Sequence, residues 1–155
     1  MGVLENRLHD DMVAAMKAGD RSTTTTLRMA IGALKNEKVA GKAARDLSEA
    51  DEIAVLTREV NRRRDSAEAY TAGNRPELAE KETAEAELIG RYLPAPLTEA
   101  ELDALVAEEV AAAEASAAAK PTMKQMGQII RAVNGRAQGR AQGGEIAAKV
   151  RAALG

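Results

Sequence analysis

Apolar residues recur along this chain at intervals of three and four, the period of helices that turn one face inward. Leu4, Leu8 and Met12, continued by Ala15 or Met16, share a stripe and predict a first helix from about Val3 to about Lys17, closed by Gly19-Asp20. Leu27, Ile31 and Leu34 predict a second, reaching about Val39 with Gly41 behind it. The threonine run at 23–26 is expected to cap and open that helix; the alternative reading of the run is a phosphate site. Ser48-Glu49-Ala50-Asp51 reads as a capping box, in which a serine oxygen and an acid satisfy orphan amides at a helix start. The third helix then runs to about Tyr70, with Ile53, Leu56, Val60 and Ala67 inward and Tyr70 at the edge. Asn74-Arg75-Pro76-Glu77 opens a fourth, since proline is tolerated in a first turn. Its inward arc is Leu78, Ala79, Thr83, Ala86, Ile89, Gly90 and Leu93, with Glu82 intruding.

The clearest break is Tyr92-Leu93-Pro94-Ala95-Pro96, because two prolines so close cannot lie inside a helix. Thr98-Glu99-Ala100-Glu101 is a second capping box and opens a fifth helix with Leu102, Leu105, Val106 and Val110 inward. Pro121-Thr122, with Gln125 behind, starts a sixth whose apolar line is Met123, Met126, Ile130 and Val133, with Ile129 at the margin and Gly135 as its end. A short last helix carries Ile146, Val150 and Leu154. No run of alternating β-branched residues competes with these helices. The expected fold is all-α: a four-helix N-terminal part over 1–93, a hinge at 94–97 and a small three-helix part over 98–155.

Composition narrows the chemistry. There is no Phe or Trp and only Tyr70 and Tyr92, so the core must come from Leu, Ile, Val, Met and Ala. The absence of Cys removes disulfides, thiolate nucleophiles and Cys-based metal sites. His9 is the single histidine and is expected to be a surface or partly packed residue. No nucleophile–base–orienter set can be assembled, no nucleotide-binding glycine loop appears, and no cofactor or metal is implied. The N-terminus lacks the build of a secretory signal, and no apolar run approaches the length of a membrane span. A cytoplasmic protein with no membrane association is the expectation.

Charge is sorted near the C-terminus. Residues 97–119 carry six acids (Glu99, Glu101, Asp103, Glu108, Glu109 and Glu114) and no base. Residues 120–155 carry seven bases, Lys120, Lys124, Arg131, Arg136, Arg140, Lys149 and Arg151, against Glu145 alone. On the sixth helix Lys124, Gln128 and Arg131 form a polar ridge opposite the apolar line and lead into Gly135-Arg136-Ala137-Gln138-Gly139-Arg140-Ala141-Gln142. Glycines let amides approach a phosphate, and arginine binds phosphate bidentately. Lys124, Arg131, Arg136 and Arg140 are therefore candidate nucleic-acid contacts, with tRNA or another structured RNA as partner. With no aromatic nearby, base stacking is absent. The competing reading is a solvated face and a linker, or a basic block that docks on the acidic helix before it. An interaction module for another protein is the alternative function.

In the third helix Arg62-Arg63-Arg64 places Arg63 at the edge of the inward stripe and Arg64 in line with it. A buried arginine needs a carboxylate. The expectation is a structural ion pair of Arg63 or Arg64 with Glu82, in competition with the local pairs of Glu59 with Arg63 and Arg64 with Glu68.

Arg63-Arg64-Asp65-Ser66-Ala67-Glu68-Ala69-Tyr70, Leu78-Ala79-Glu80-Lys81-Glu82, Tyr92-Leu93-Pro94 with Leu97, and Met123-Lys124-Gln125-Met126-Gly127 followed by a Gly-Arg-Ala element resemble the YqeY-like branch of the GatB/YqeY family. The resemblance runs over essentially the full length. It implies an all-helical fold in two parts, similar to the tail of the tRNA-dependent amidotransferase B subunit, which contacts tRNA. It also implies a place beside amidotransferase subunits and the family label of a carbon–nitrogen ligase with glutamine as amido-N donor. Glutamine hydrolysis and ATP-dependent activation belong to other domains of that enzyme, without counterpart here, so the expectation is a non-catalytic module, accessory to tRNA-dependent amidation. The chain departs from the pattern in three ways: Gln138 or Gln142 stands where an acid or Asn is usual, the Gly-Arg element occurs twice, and Pro96 replaces a usually polar position. The copy at 139–143 abuts the last helix and is taken as the equivalent one.

Overall fold

The computed structural model describes residues 2–155 and is all-α, with seven α-helices and no strand among the described residues. The chain divides into one unit ending at Leu93 and a second, Pro94–Gly155.

The first unit contains α1 (Val3–Lys17), α2 (Arg21–Val39), α3 (Glu49–Ala72) and α4 (Pro76–Gly90). α3 packs chiefly on α4, and α1 on α2. Leu8, Leu27, Leu34, Leu56 and Ile89 are wholly buried in one core with Leu4, Val55, Val60 and Ala86. Each Leu, Ile or Val among them contributes about 1.5–3 kcal/mol on leaving water. Tyr92 closes this core. Its hydroxyl donates to Asp11, and the Arg7 guanidinium sits 5.1 Å from its ring centroid. Burial first, and then the bond to Asp11, push the phenol well above its ordinary range.

Helix starts explain much of the geometry. Ser48 and Asp51 form the reciprocal capping box of α3, with bonds of 3.1 and 3.0 Å. The cap of α2 is Asp20 and not the threonine run: its carboxylate accepts the Thr23 N–H at 3.1 Å. Aspartate offers a full negative charge to the orphan amides, so the helix begins before the threonines. Thr24 and Thr26 are buried within α2, and their hydroxyls donate to the Asp20 and Ser22 carbonyls one turn back. α1 is capped from a distance. The Glu52 carboxylate on α3, 1 % exposed, accepts the amides of Leu4 and Glu5 at 3.3 and 2.8 Å.

The inward face of α3 differs from the apolar stripe. Glu52, Val55, Leu56, Val60 and Arg63 are buried, while Arg64 is exposed. Apolar periodicity places only apolar residues; Glu52 and Arg63 are buried because each has polar partners waiting for it.

The second unit contains α5 (Glu99–Ala117), a single 3-10 turn (Met123–Gln125), α6 (Met126–Ala137) and α7 (Gly143–Leu154). Its core is Leu102, Val106, Ile129, Val133, Ala137, Ile146 and Val150. Thr98 caps α5 by accepting the Glu101 amide at 3.1 Å. Thr122 and Gln125 form a reciprocal box at the 3-10 turn. The inward line of α6 is Ile129, Val133 and Ala137; Ile129 is central to it, and Met123 is exposed. Gly135 does not end the helix. Glycine costs only about 1 kcal/mol in a helix interior, and burial of Ala137 draws the helix on to Gln138, a left-handed cap at φ 50°. Gly139 follows at φ 78°, a conformation that glycine alone adopts without strain.

Candidate nucleic-acid interface

The second unit holds both charge blocks, and they meet. At the last turn of α6, Arg136 reaches α5 and donates to Glu108 at 2.6 Å and to Glu109 at 3.2 Å. Glu108 and then Glu109 hold its guanidinium protonated even above the usual arginine range. From α7, Lys149 donates to Asp103 at 2.7 Å and Glu99 at 3.4 Å, and Asp103 foremost raises its pKa. Arg140 folds back onto the segment before α5. Its Nε donates to the Ala95 carbonyl at 2.7 Å, its Nη2 lies 3.7 Å from Glu101, and its own carbonyl accepts the Leu97 amide at 2.8 Å.

Charge sorting in the sequence is thus largely an internal match. Five of the six acids at 97–119 face a base, with Glu114 left over. Lys120, Lys124, Arg131 and Arg151 have no carboxylate within 4.0 Å among the described residues. Lys124 in the 3-10 turn and Arg131 on α6 are both exposed, as is Gln128 between them. The four candidate contacts therefore separate: Lys124 and Arg131 stand on the open ridge, whereas Arg136 and Arg140 are turned onto α5 and its approach. The two Gly-Arg-Ala-Gln copies also differ. The first is the closing turn of α6 and its cap, and the second is the connection to α7.

Arg63 of the first unit is buried and takes the local pair with Glu59 named as a competitor, while its partner across the helices is Glu85 in place of the expected Glu82. Nη1 donates to Glu59 at 2.7 Å and Nε to Glu85 at 3.3 Å. Glu82 and Glu85 differ by nearly one helical turn, and it is Glu85, one residue before the buried Ala86, that lies beside the core. Arg64 is exposed and makes no ion pair among the described residues, and Arg62 pairs with Glu59 at 3.0 Å. Sequence reasoning also passed over Glu52 and the bond of Lys38 to the buried Glu5 at 2.7 Å. Glu5 lies on the stripe between Leu4 and Leu8, an acid in an apolar setting that could have signalled it.

No group of three or more His, Asp or Glu side chains is arranged to hold a metal ion among the described residues. No helix among them is long and apolar enough to cross a membrane.

The family model described as Yqey-like protein matches residues 5–154. The chain belongs to the YqeY-like family. Among curated proteins, it is similar to altered inheritance of mitochondria protein 41, mitochondrial, of Lachancea thermotolerans, 35 % identical over 101 residues, 64 % of this chain and 54 % of that protein. The protein of the same name from Saccharomyces cerevisiae strain YJM789 is 33 % identical over 98 residues, 62 % of this chain and 51 % of that one. That of Vanderwaltozyma polyspora is 34 % identical over 86 residues, 56 % and 46 % respectively. The chain spans about half the length of the curated relatives it matches. These names overturn the cytoplasmic expectation, since the relatives are mitochondrial proteins. Membrane-span hydropathy and a secretory build, the features on which that expectation rests, carry no information about a mitochondrial setting.

Proposed function

We propose that this YqeY-like protein is a non-catalytic module that associates with structured RNA, tRNA foremost, as an accessory to tRNA-dependent amidation. The observation that carries the reading is the exposed ridge of Lys124, Gln128 and Arg131, whose cations have no carboxylate partner among the described residues while other bases of the block are neutralised by α5. A cation without an internal partner has its whole field available to a phosphate. In this reading Lys124 and Arg131 touch the RNA backbone, whereas Arg136 and Arg140 position the ridge by fastening α6 and the following loop. A second reading, a module that meets an acidic protein through its basic segment, draws support from the ability of Arg136 and Lys149 to engage rows of carboxylates on a helix.

Fluorescence anisotropy of labelled bulk tRNA across a salt series tests the proposal. Two phosphate contacts on duplex RNA predict a log–log slope near −2, from about −0.9 per contact. The double change Lys124→Ala and Arg131→Ala should flatten it. Absence of binding even at low salt, or a slope unmoved by that double change, overturns the proposal and favours a protein partner.

A further inference from the structure

The family-resembling strings of α3 and α4 belong to the first unit, and the structure brings them together around an open groove of about 610 Å³ between α2, α3 and α4. That volume is in the range of small-molecule sites. Its wall includes Arg21, Arg62, Arg63 and Lys81 against two carboxylates, Glu82 and Glu85. Glu85 is already engaged by Arg63, and Arg21 and Lys81 have no carboxylate within 4.0 Å among the described residues.

Arg63 is the informative member. Its side chain is 8 % exposed. Nη1 donates to both the carbonyl and the carboxylate of Glu59, and Nε to Glu85. Nη2 carries two further N–H groups, and their one acceptor among the described residues is the Met29 sulfur at 3.8 Å. Thioether sulfur is a weak acceptor, and a buried guanidinium with an under-used edge calls for an oxygen. The edge belongs to a residue lining the groove, beside the hydroxyl-bearing Ser66 and the half-open Met29.

We propose that this groove binds the phosphate of a small phosphate monoester. Arg63 Nη2 and Arg62 take its oxygens, Arg21 and Lys81 supply the remaining charge, and Met29 contacts the organic part. Arg62 and Arg63 share Glu59 and Glu85, whereas Arg21 and Lys81 have no carboxylate partner among the described residues; two open cations beside the free edge of Arg63 match a phosphate dianion better than a singly charged carboxylate. The inference is independent of RNA binding by the second unit.

The test is amide chemical-shift mapping by NMR on the whole chain, titrated separately with inorganic phosphate, AMP, adenosine and acetate. The expected result is saturable shifts at 21–29, 62–66 and 81–85 with phosphate and AMP, AMP the tighter, and none with adenosine or acetate. The exposed double change Arg21→Glu and Lys81→Glu should weaken AMP at least about tenfold, the equivalent of losing one charge-assisted bond. Arg63→Lys, which keeps the charge but removes the fork, should weaken it similarly while the spectrum stays folded. Shifts located elsewhere, equal response to adenosine or acetate, binding of phosphate without AMP, or AMP affinity unchanged in the folded double variant would each overturn the proposal.

Discussion

The Glu52 carboxylate accepts the backbone N–H of Glu5 at 2.8 Å, so a residue of α3 caps α1 across 47 positions of sequence. A methyl group on Gly2 would come within 2.4 Å of the same carboxyl, which makes the absence of a side chain there part of the cap. Glu52→Ala should cost about 1–3 kcal/mol, the penalty of leaving buried amides unpaired. Gly2→Ala should destabilise as well, and the double variant by less than the sum, because both changes break one contact. Additive losses in urea titrations would show that the two residues act separately.

Arg63 predicts a contrast between neighbouring glutamates. Arg63→Ala leaves Glu59 and Glu85 facing an empty, largely buried position and should cost about 3 kcal/mol. Glu85→Gln should lower the melting temperature measurably, whereas Glu82→Gln should leave it within error, since Glu82 makes no ion pair among the described residues. Equal effects of the two glutamines would place the arginine between both acids.

These two sites mark where sequence stops informing. The stripes of Leu4 and Leu8, or Leu27, Ile31 and Leu34, were legible because apolar burial depends on period alone. Caps at Ser48 and Thr98 were legible because they are local. Arg63 was legible in part, since its edge position and its local pair with Glu59 follow from spacing, but its partner Glu85 and the buried Glu52 were not, because period carries no record of partners distant in sequence. In the candidate interface the same limit applies. Sequence displayed the basic block, but only the approach of α6 and α7 to α5 distinguishes Arg136 from Arg131.

Acid sensitivity follows from two caps. Asp20 is held below its ordinary value of 3.8 by the Thr23 hydroxyl and amide, and Asp51 by the Ser48 amide first, with Arg45 next. A depressed folded pKa means that the unfolded chain binds protons more readily, so this stability is present above pH 3.8 and is lost as pH falls below it through the folded values. Thermal melts should decline more steeply in that window than those of the double variant Asp20→Asn and Asp51→Asn. Parallel curves would assign acid unfolding to other carboxylates.

The Arg136 latch gives a prediction of opposite sign from the ridge. If RNA is held by unpaired cations, then Glu108→Ala with Glu109→Ala frees Arg136 and removes two repelling charges. RNA affinity at low salt should rise, and the salt slope should steepen by up to about 0.9 as one more phosphate is neutralised. The same variant should melt no higher than the parent, because the latch is gone. Competition between internal carboxylates and phosphates for one guanidinium produces that pairing of tighter binding with unimproved stability. A protein partner recognised by the basic block would also gain from the freed arginine, so the slope with tRNA is read beside the Lys124→Ala and Arg131→Ala variant. Steepening in one and flattening in the other would place the RNA on the ridge with Arg136 at its end, whereas a change in neither would remove RNA from the account of this face.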